Sequence, residues 1–160
     1  MRRKEHSKSK EQPPPVTHTV TFNRAGGTGS TPTRTVTAGQ RVASPKAPTR
    51  TGFTFAGWFR GTTRWNFNNP VTANLTLTAR WTPRTITLTF DAGQGRIGRN
   101  RRAAVRNTFG SRIRLARNPT RAGFVFRGWF TRKSGGRAVT NRTAVPAGSA
   151  TFHARWARRR

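Results

Sequence analysis

The chain has 160 residues, with 32 Lys and Arg against 3 Asp and Glu, and a net charge of +29. Its length suits one ordinary domain or two small ones, and an apolar share of 32% leaves little material for a core. Cysteine is absent, which excludes a disulfide framework, a thiolate nucleophile and a Cys-based zinc site. No apolar run approaches the length of a membrane-spanning helix. With so few acids the chain cannot neutralise itself, so it attracts anions or tolerates self-repulsion.

Residues 1–15 hold five bases, two acids and the run Pro13-Pro14-Pro15. They show neither helical nor strand periodicity and lack the apolar stretch of a secretory leader. They read as a disordered basic arm with a stiff polyproline end. Thr17–Phe22 then alternates apolar with β-branched polar residues, as a half-buried strand does. A glycine-rich turn follows at residues 24–29. Thr35–Thr37 and Arg41-Val42 read as a second strand, and Phe53–Phe55 as a third running into Gly57-Trp58. Leu75–Trp81 reads as a closing strand.

The order then repeats. Thr85–Phe90 alternates like Thr17–Phe22, and a Gly93–Gly98 turn follows it. Arg112–Leu115 reads as a strand with arginine on one face and aliphatics on the other. Phe124–Phe126 leads into Gly128-Trp129, and Thr151–Trp156 closes the second copy. Three segments match residue by residue: Thr19–Asn23 with Thr87–Asp91, Pro48–Phe59 with Pro119–Phe130, and Ala79–Trp81 with Ala154–Trp156. The offset grows from 68 to 75 residues, so the second copy carries small insertions. The expected domains are therefore the arm 1–15, a module at 16–83, and a second module at 84–160 with an Arg-rich tail. No window sustains an amphipathic helix of three turns.

These motifs, from the Thr-Val-Thr-Phe-Asn strand through Pro-Thr-Arg-x-Gly-Phe-x-Phe-x-Gly-Trp-Phe to the closing Ala-Arg-Trp, resemble the Listeria–Bacteroides repeat, also called the internalin-B-type B repeat. The resemblance covers both copies. It implies a mainly β fold, all-β or β-grasp-like α+β, in tandem modules at a bacterial cell envelope or surface. It implies adhesion or stalk duty and no catalysis. Two alternatives accompany it: an Arg-rich polyanion-binding module, intracellular or particle-associated, and a fragment of a larger surface protein without separate activity.

The chemistry of the side chains agrees with a non-enzyme. Glycoside hydrolysis needs two carboxylates, and residues 16–160 hold one, Asp91. His18 and His153 are isolated, so neither a metal set nor a Ser-His-Asp set forms by spacing. Gly93-Gln-Gly95-Arg-Ile-Gly98 fits a dinucleotide fingerprint in letters only, because no helix signal and no acid follow it. We expect no catalytic residue, metal or cofactor. The aromatic residues that recur between copies, Phe22, Phe55, Trp58, Trp81, Phe90, Phe126, Trp129 and Trp156, are assigned to two small cores.

The arginines are the remaining signal. Residues 16–83 carry eight bases and no acid, whereas residues 84–160 carry nineteen bases and one acid. The densest run is Arg96, Arg99, Arg101, Arg102, Arg106, Arg112, Arg114 and Arg117, with Arg158, Arg159 and Arg160 at the end. Planar guanidinium forks suit phosphate and sulfate, and several together give strong, salt-dependent binding. The expected partners are polyanions (nucleic acid, a glycosaminoglycan or an anionic envelope polymer) and a host or cell-surface protein.

Overall fold

The computed structural model describes residues 11–30 and 32–160. The first ten residues of the expected arm lie outside the described residues; residues 11–15 are exposed and irregular. The chain forms two compact units, and every regular element among the described residues is a strand.

The first sheet holds β1 (Thr17–Asn23), β2 (Thr33–Thr37), β3 (Phe53–Arg60), β4 (Thr63–Arg64) and β5 (Leu75–Pro83), in the spatial order β2-β1-β5-β3-β4. The second holds β6 (Thr85–Asp91), β7 (Arg102–Thr108), β8 (Phe124–Phe130), β9 (Ala138–Val139) and β10 (Ala150–Arg158), in the matching order β7-β6-β10-β8-β9. At the centre of each, the first and last strands pair in parallel: Phe22 opposite Leu77, and Phe90 opposite Phe152. A parallel pair requires a long crossover, and helices usually supply it. Here the other three strands lie between the two along the chain, and the stretch that crosses the sheet from the second strand to the third is irregular. Pro45, Pro48 and Gly52 interrupt it in the first copy, and Gly110, Pro119 and Gly123 in the second. The helix that an α+β module implies is therefore absent among the described residues, and the mainly β part of the expectation holds.

Loops do the covering work of a helix. In the second sheet, Ile86, Leu88 and Phe90 point to one face with Trp129 and Phe152. Ile113 and Ala116 from the crossover, and Val145 from the loop before β10, close over them. Val42 and Val71 are buried from the corresponding loops of the first copy. The other face stays open: Thr17, Thr19, Thr33, Thr35, Thr37 and Thr76 are exposed there in the first sheet. Alternation in the sequence thus becomes one dry and one wet face.

Four of the aromatic residues assigned to the cores, Phe22, Trp58, Phe90 and Trp129, are buried. Phe55, Trp81, Phe126 and Trp156 are half-buried at the rim. A register shift between Arg155 and Trp156 marks a bulge. It lets Phe126 and Trp129 pack edge to face, 5.2 Å between centroids, although they stand three residues apart on one strand. The second copy has no counterpart of Phe67, which stacks on Phe22 at 6.4 Å. Phe152 provides a ring instead, 5.5 Å from Phe90, at the strand position where the first copy has Leu77.

Two expectations need correction. Arg112–Leu115 is loop, not strand. Ile113 does turn inward, but Leu115 stays 37% exposed. The true partner of β6 is β7, ten residues earlier. Likewise Arg41-Val42 lies outside any strand, and β2 ends at Thr37.

Backbone geometry separates the copies at one turn. Ala25 adopts φ 47°, in the left-handed region, where its counterpart is Gly93 at φ 61°. Ala25→Gly should relieve this strain against a smaller entropic cost, giving a net gain of about 0.5–1 kcal/mol in urea denaturation. Gly95 is the opposite case. A Cβ there would collide with the Trp156 indole and lie 2.9 Å from the Thr120 carbonyl oxygen. Gly95→Ala should cost about 1–3 kcal/mol by overpacking. Gly148→Ala, with nothing within 4 Å, should stay within about 0.5 kcal/mol.

Candidate anion-binding surface

Asp91 ends β6 and is 8% exposed. Its Oδ1 accepts the Gly93 amide at 2.8 Å, and its Oδ2 accepts Arg102 Nε at 3.0 Å. Arg102 is the register partner of Asp91 on β7, and His153 faces it from β10. Burial pushes the Asp91 carboxyl upward. The Gly93 amide, the Arg102 hydrogen bond and charge, and the His153 charge outweigh that and hold it below the usual aspartate value. In the first copy Asn23 makes the same turn bond, accepting the Ala25 amide at 2.9 Å. The turn needs an oxygen at this position; the charge belongs to the second copy.

Arg102–Asp91 is the ion pair found among the described residues. The other arginines of the dense run are distributed over several elements. Arg96 and Arg99 lie in the turn after β6, and Arg96 pairs by backbone with Thr120. Arg101 precedes β7, and Arg102 and Arg106 stand on its exposed face. Arg112, Arg114 and Arg117 are exposed in the crossover around buried Ile113 and Ala116. Arg112 Nη1 donates to the Arg142 carbonyl. Arg158 ends β10, and Arg159 and Arg160 follow it, all exposed. The run thus spans the β6–β7 turn, the β7 face and the crossover.

A second arrangement repeats in both copies. Arg80 lies over the Phe59 ring at 4.7 Å and donates Nη2 to the Gly61 carbonyl at 2.9 Å. Arg155 lies over Phe130 at 4.1 Å and donates to the Gly135 carbonyl. These arginines clasp the closing strand to the neighbouring hairpin, so they serve packing before binding.

One functional candidate combines residues that the sequence does not place together. A cleft of about 550 Å³ opens in the second module. Arg96 and Arg159 reach it from the chosen set; Arg121, Phe124, Phe126 and Trp156 complete it. Arg121 lies outside the densest arginine run. It also sits in Pro119-Thr-Arg, which reads as repeat signature because Pro48-Thr-Arg matches it. The available signal was Arg96 itself, whose first-copy counterpart is Thr28: both bridge to the Thr of Pro-Thr-Arg.

No group of three His, Asp or Glu side chains among the described residues could hold a metal. No helix among them is long and apolar enough to cross a membrane. Fold and surface together define a tandem pair of loop-covered β modules with an arginine-rich exterior. The Listeria-Bacteroides repeat domain family matches residues 18–80 and again 87–155, and the chain belongs to that family. It is similar to Internalin H of Listeria monocytogenes, 32% identical over 151 residues. It is also similar to a putative membrane protein of Evansella cellulosilytica, 26% identical over 119 residues. These alignments cover 91% and 72% of this chain but 26% and 17% of those proteins. The chain therefore spans about a quarter or less of the relatives it matches.

Because the folded Asp91 value is lowered, its contribution is complete above the unfolded carboxylate value of about 3.9. It is lost as pH falls through the folded value. Asp91→Asn keeps the turn bond, as Asn23 does, and removes the charge. Wild type should exceed this variant in stability at pH 6–7, and the gap should close below about pH 4 in thermal denaturation followed against pH.

Proposed function

We propose that the chain is a non-enzymatic repeat segment of a bacterial cell-surface protein, acting as a spacer or adhesion element. The observation that carries this reading is the repetition of one all-strand unit, with the same strand order and the same Arg-on-Phe clasp, in a chain of the Listeria-Bacteroides repeat family. Repeated units of this kind extend length and surface, with each unit burying its own dry face. Residues 16–160 offer a single carboxylate side chain, already engaged by Arg102, so acid–base catalysis has little to draw on. The similarity to an internalin and to a protein described as a membrane protein supports an envelope setting.

The test is location. An epitope within residues 16–160 of the gene product should be reached by antibody and by protease on intact cells. Detection only after lysis would overturn the reading.

A second reading has its own observation. Twenty-seven bases face one acid in residues 16–160, and Asp91 is matched to Arg102. The surplus attracts polyanions, so we propose that adhesion works through an anionic polymer. Binding of the chain to immobilised heparin should weaken steeply with salt, log K falling linearly with log salt concentration. A flat dependence would remove this reading.

A further inference from the structure

We infer that the second module carries a specific site for an anionic glycan segment in the cleft of Arg96, Arg121, Arg159, Phe124, Phe126 and Trp156, a proposal that rests on the polyanion reading above. At about 550 Å³ the cleft falls within the size range of small-ligand sites. No acid lines it. Arg121 is set in place by neutral partners: its guanidinium lies 3.7 Å from the Phe124 ring centroid, and its Nη2 donates to Gln94 Oε1. Arg96 Nη1 donates to the Arg99 carbonyl at 3.1 Å. Both cations are positioned while their charge stays uncompensated by a carboxylate. Such pre-organisation lowers the ordering cost of capturing a sulfate or carboxylate. Arg159 stands at the rim, its backbone amide fixed to the Gly123 carbonyl at 2.9 Å.

The floor is amphipathic. Trp156 is half-buried, with its Nε1 donating to the Ala92 carbonyl at 3.2 Å. Phe126 packs edge-on against Trp129 and Trp156 at 5.2 and 5.8 Å. Arg121 covers a face of Phe124. Arg121 thus occupies a face of Phe124 on which a nucleic-acid base would stack, and sets a fixed cation there instead. A sugar chain, with apolar ring hydrogens and anionic substituents, matches this surface better.

One cation, Arg96, is particular to the second copy; Arg50 over Phe53 and the Arg84 amide on the Gly52 carbonyl repeat the Arg121 and Arg159 arrangements in the first. At the turn positions of Gln94 and Arg96 the first copy has Gly26 and Thr28, although Thr28 keeps the backbone bridge to Thr49. The fold does not require the arginine; the cleft does.

The experiment titrates the whole chain with a heparin oligosaccharide and, separately, with duplex DNA, following the indole N–H of Trp156 by NMR. Trp156→Phe assigns that signal. The oligosaccharide should shift it. Arg96→Thr, which installs the first-copy residue, and Arg159→Ala at the exposed tail should each weaken oligosaccharide binding about tenfold. Arg132→Thr, an equal charge loss outside the cleft, should change it less than about twofold. Equal losses at Arg132 and Arg96 would overturn the site and leave diffuse polyanion binding standing. DNA binding with the same dependence on Arg96 and Arg159 would overturn the glycan assignment. Binding of neither polymer would overturn this proposal together with the reading beneath it.

Discussion

The same buried edge-to-face pair of rings anchors each module. Phe22 meets Trp58 at 5.0 Å and 72°, and Phe90 meets Trp129 at 5.0 Å and 71°. The Phe comes from a central strand and the Trp from the strand beyond its parallel partner, so the contact ties three strands together across the dry face. Trp129, Phe22 and Phe90 are the three largest fully buried side chains among the described residues. The crossover then has to lay its own apolar residues over these rings, because no helix does so. That explains why the irregular segments contain buried residues such as Val42, Ile113 and Val145. Among the described residues, six of the nineteen buried hydrophobic residues lie outside the strands, so loops supply about a third of the core.

The same constraint decides how much could be read from sequence. Strands that alternate against the core declared themselves: β1, β6 and the closing strands carry Val, Leu, Ile and Phe at period two. β7 did not, because its inward residues are Ala103, Val105 and Asn107. It is an edge strand that gains its place by pairing with β6, and pairing leaves little trace in composition. Arg112–Leu115 misled for the complementary reason. Ile113 is core, yet it arrives from a loop, its amide bonded to the Thr143 carbonyl. An inward residue signals burial; it signals a strand only where its neighbours also alternate and pair. The parallel pairing of first and last strands was hidden too, since it joins residues more than fifty positions apart.

Charge obeys a different rule. The dry faces fix which positions must be apolar, and the glycine-rich turns fix which need an oxygen or a left-handed backbone. Both copies satisfy these demands with different residues: Asn23 or Asp91 for the turn oxygen, Ala25 or Gly93 for the positive φ. The arginines between Arg96 and Arg117 are distributed among a turn, a strand face and a crossover. What the fold gathers instead is Arg96, Arg121 and Arg159, which stand 25 and 38 residues apart in sequence. Density along a chain is a poor guide to density in space once the chain crosses a sheet.

A duplicated module gives a chain one copy's worth of freedom. If each unit closes over its own rings, the positions that neither unit needs for closure can diverge without cost to the fold. Thr28 and Arg96 are such a pair: each holds the same backbone bridge, and only one brings a cation. The +8 of residues 16–83 against the +18 of residues 84–160 is the sum of many such exchanges. The excess lies at turn, crossover, tail and outer strand-face positions of one copy, which the dry core leaves exposed and which an anionic surface would meet first.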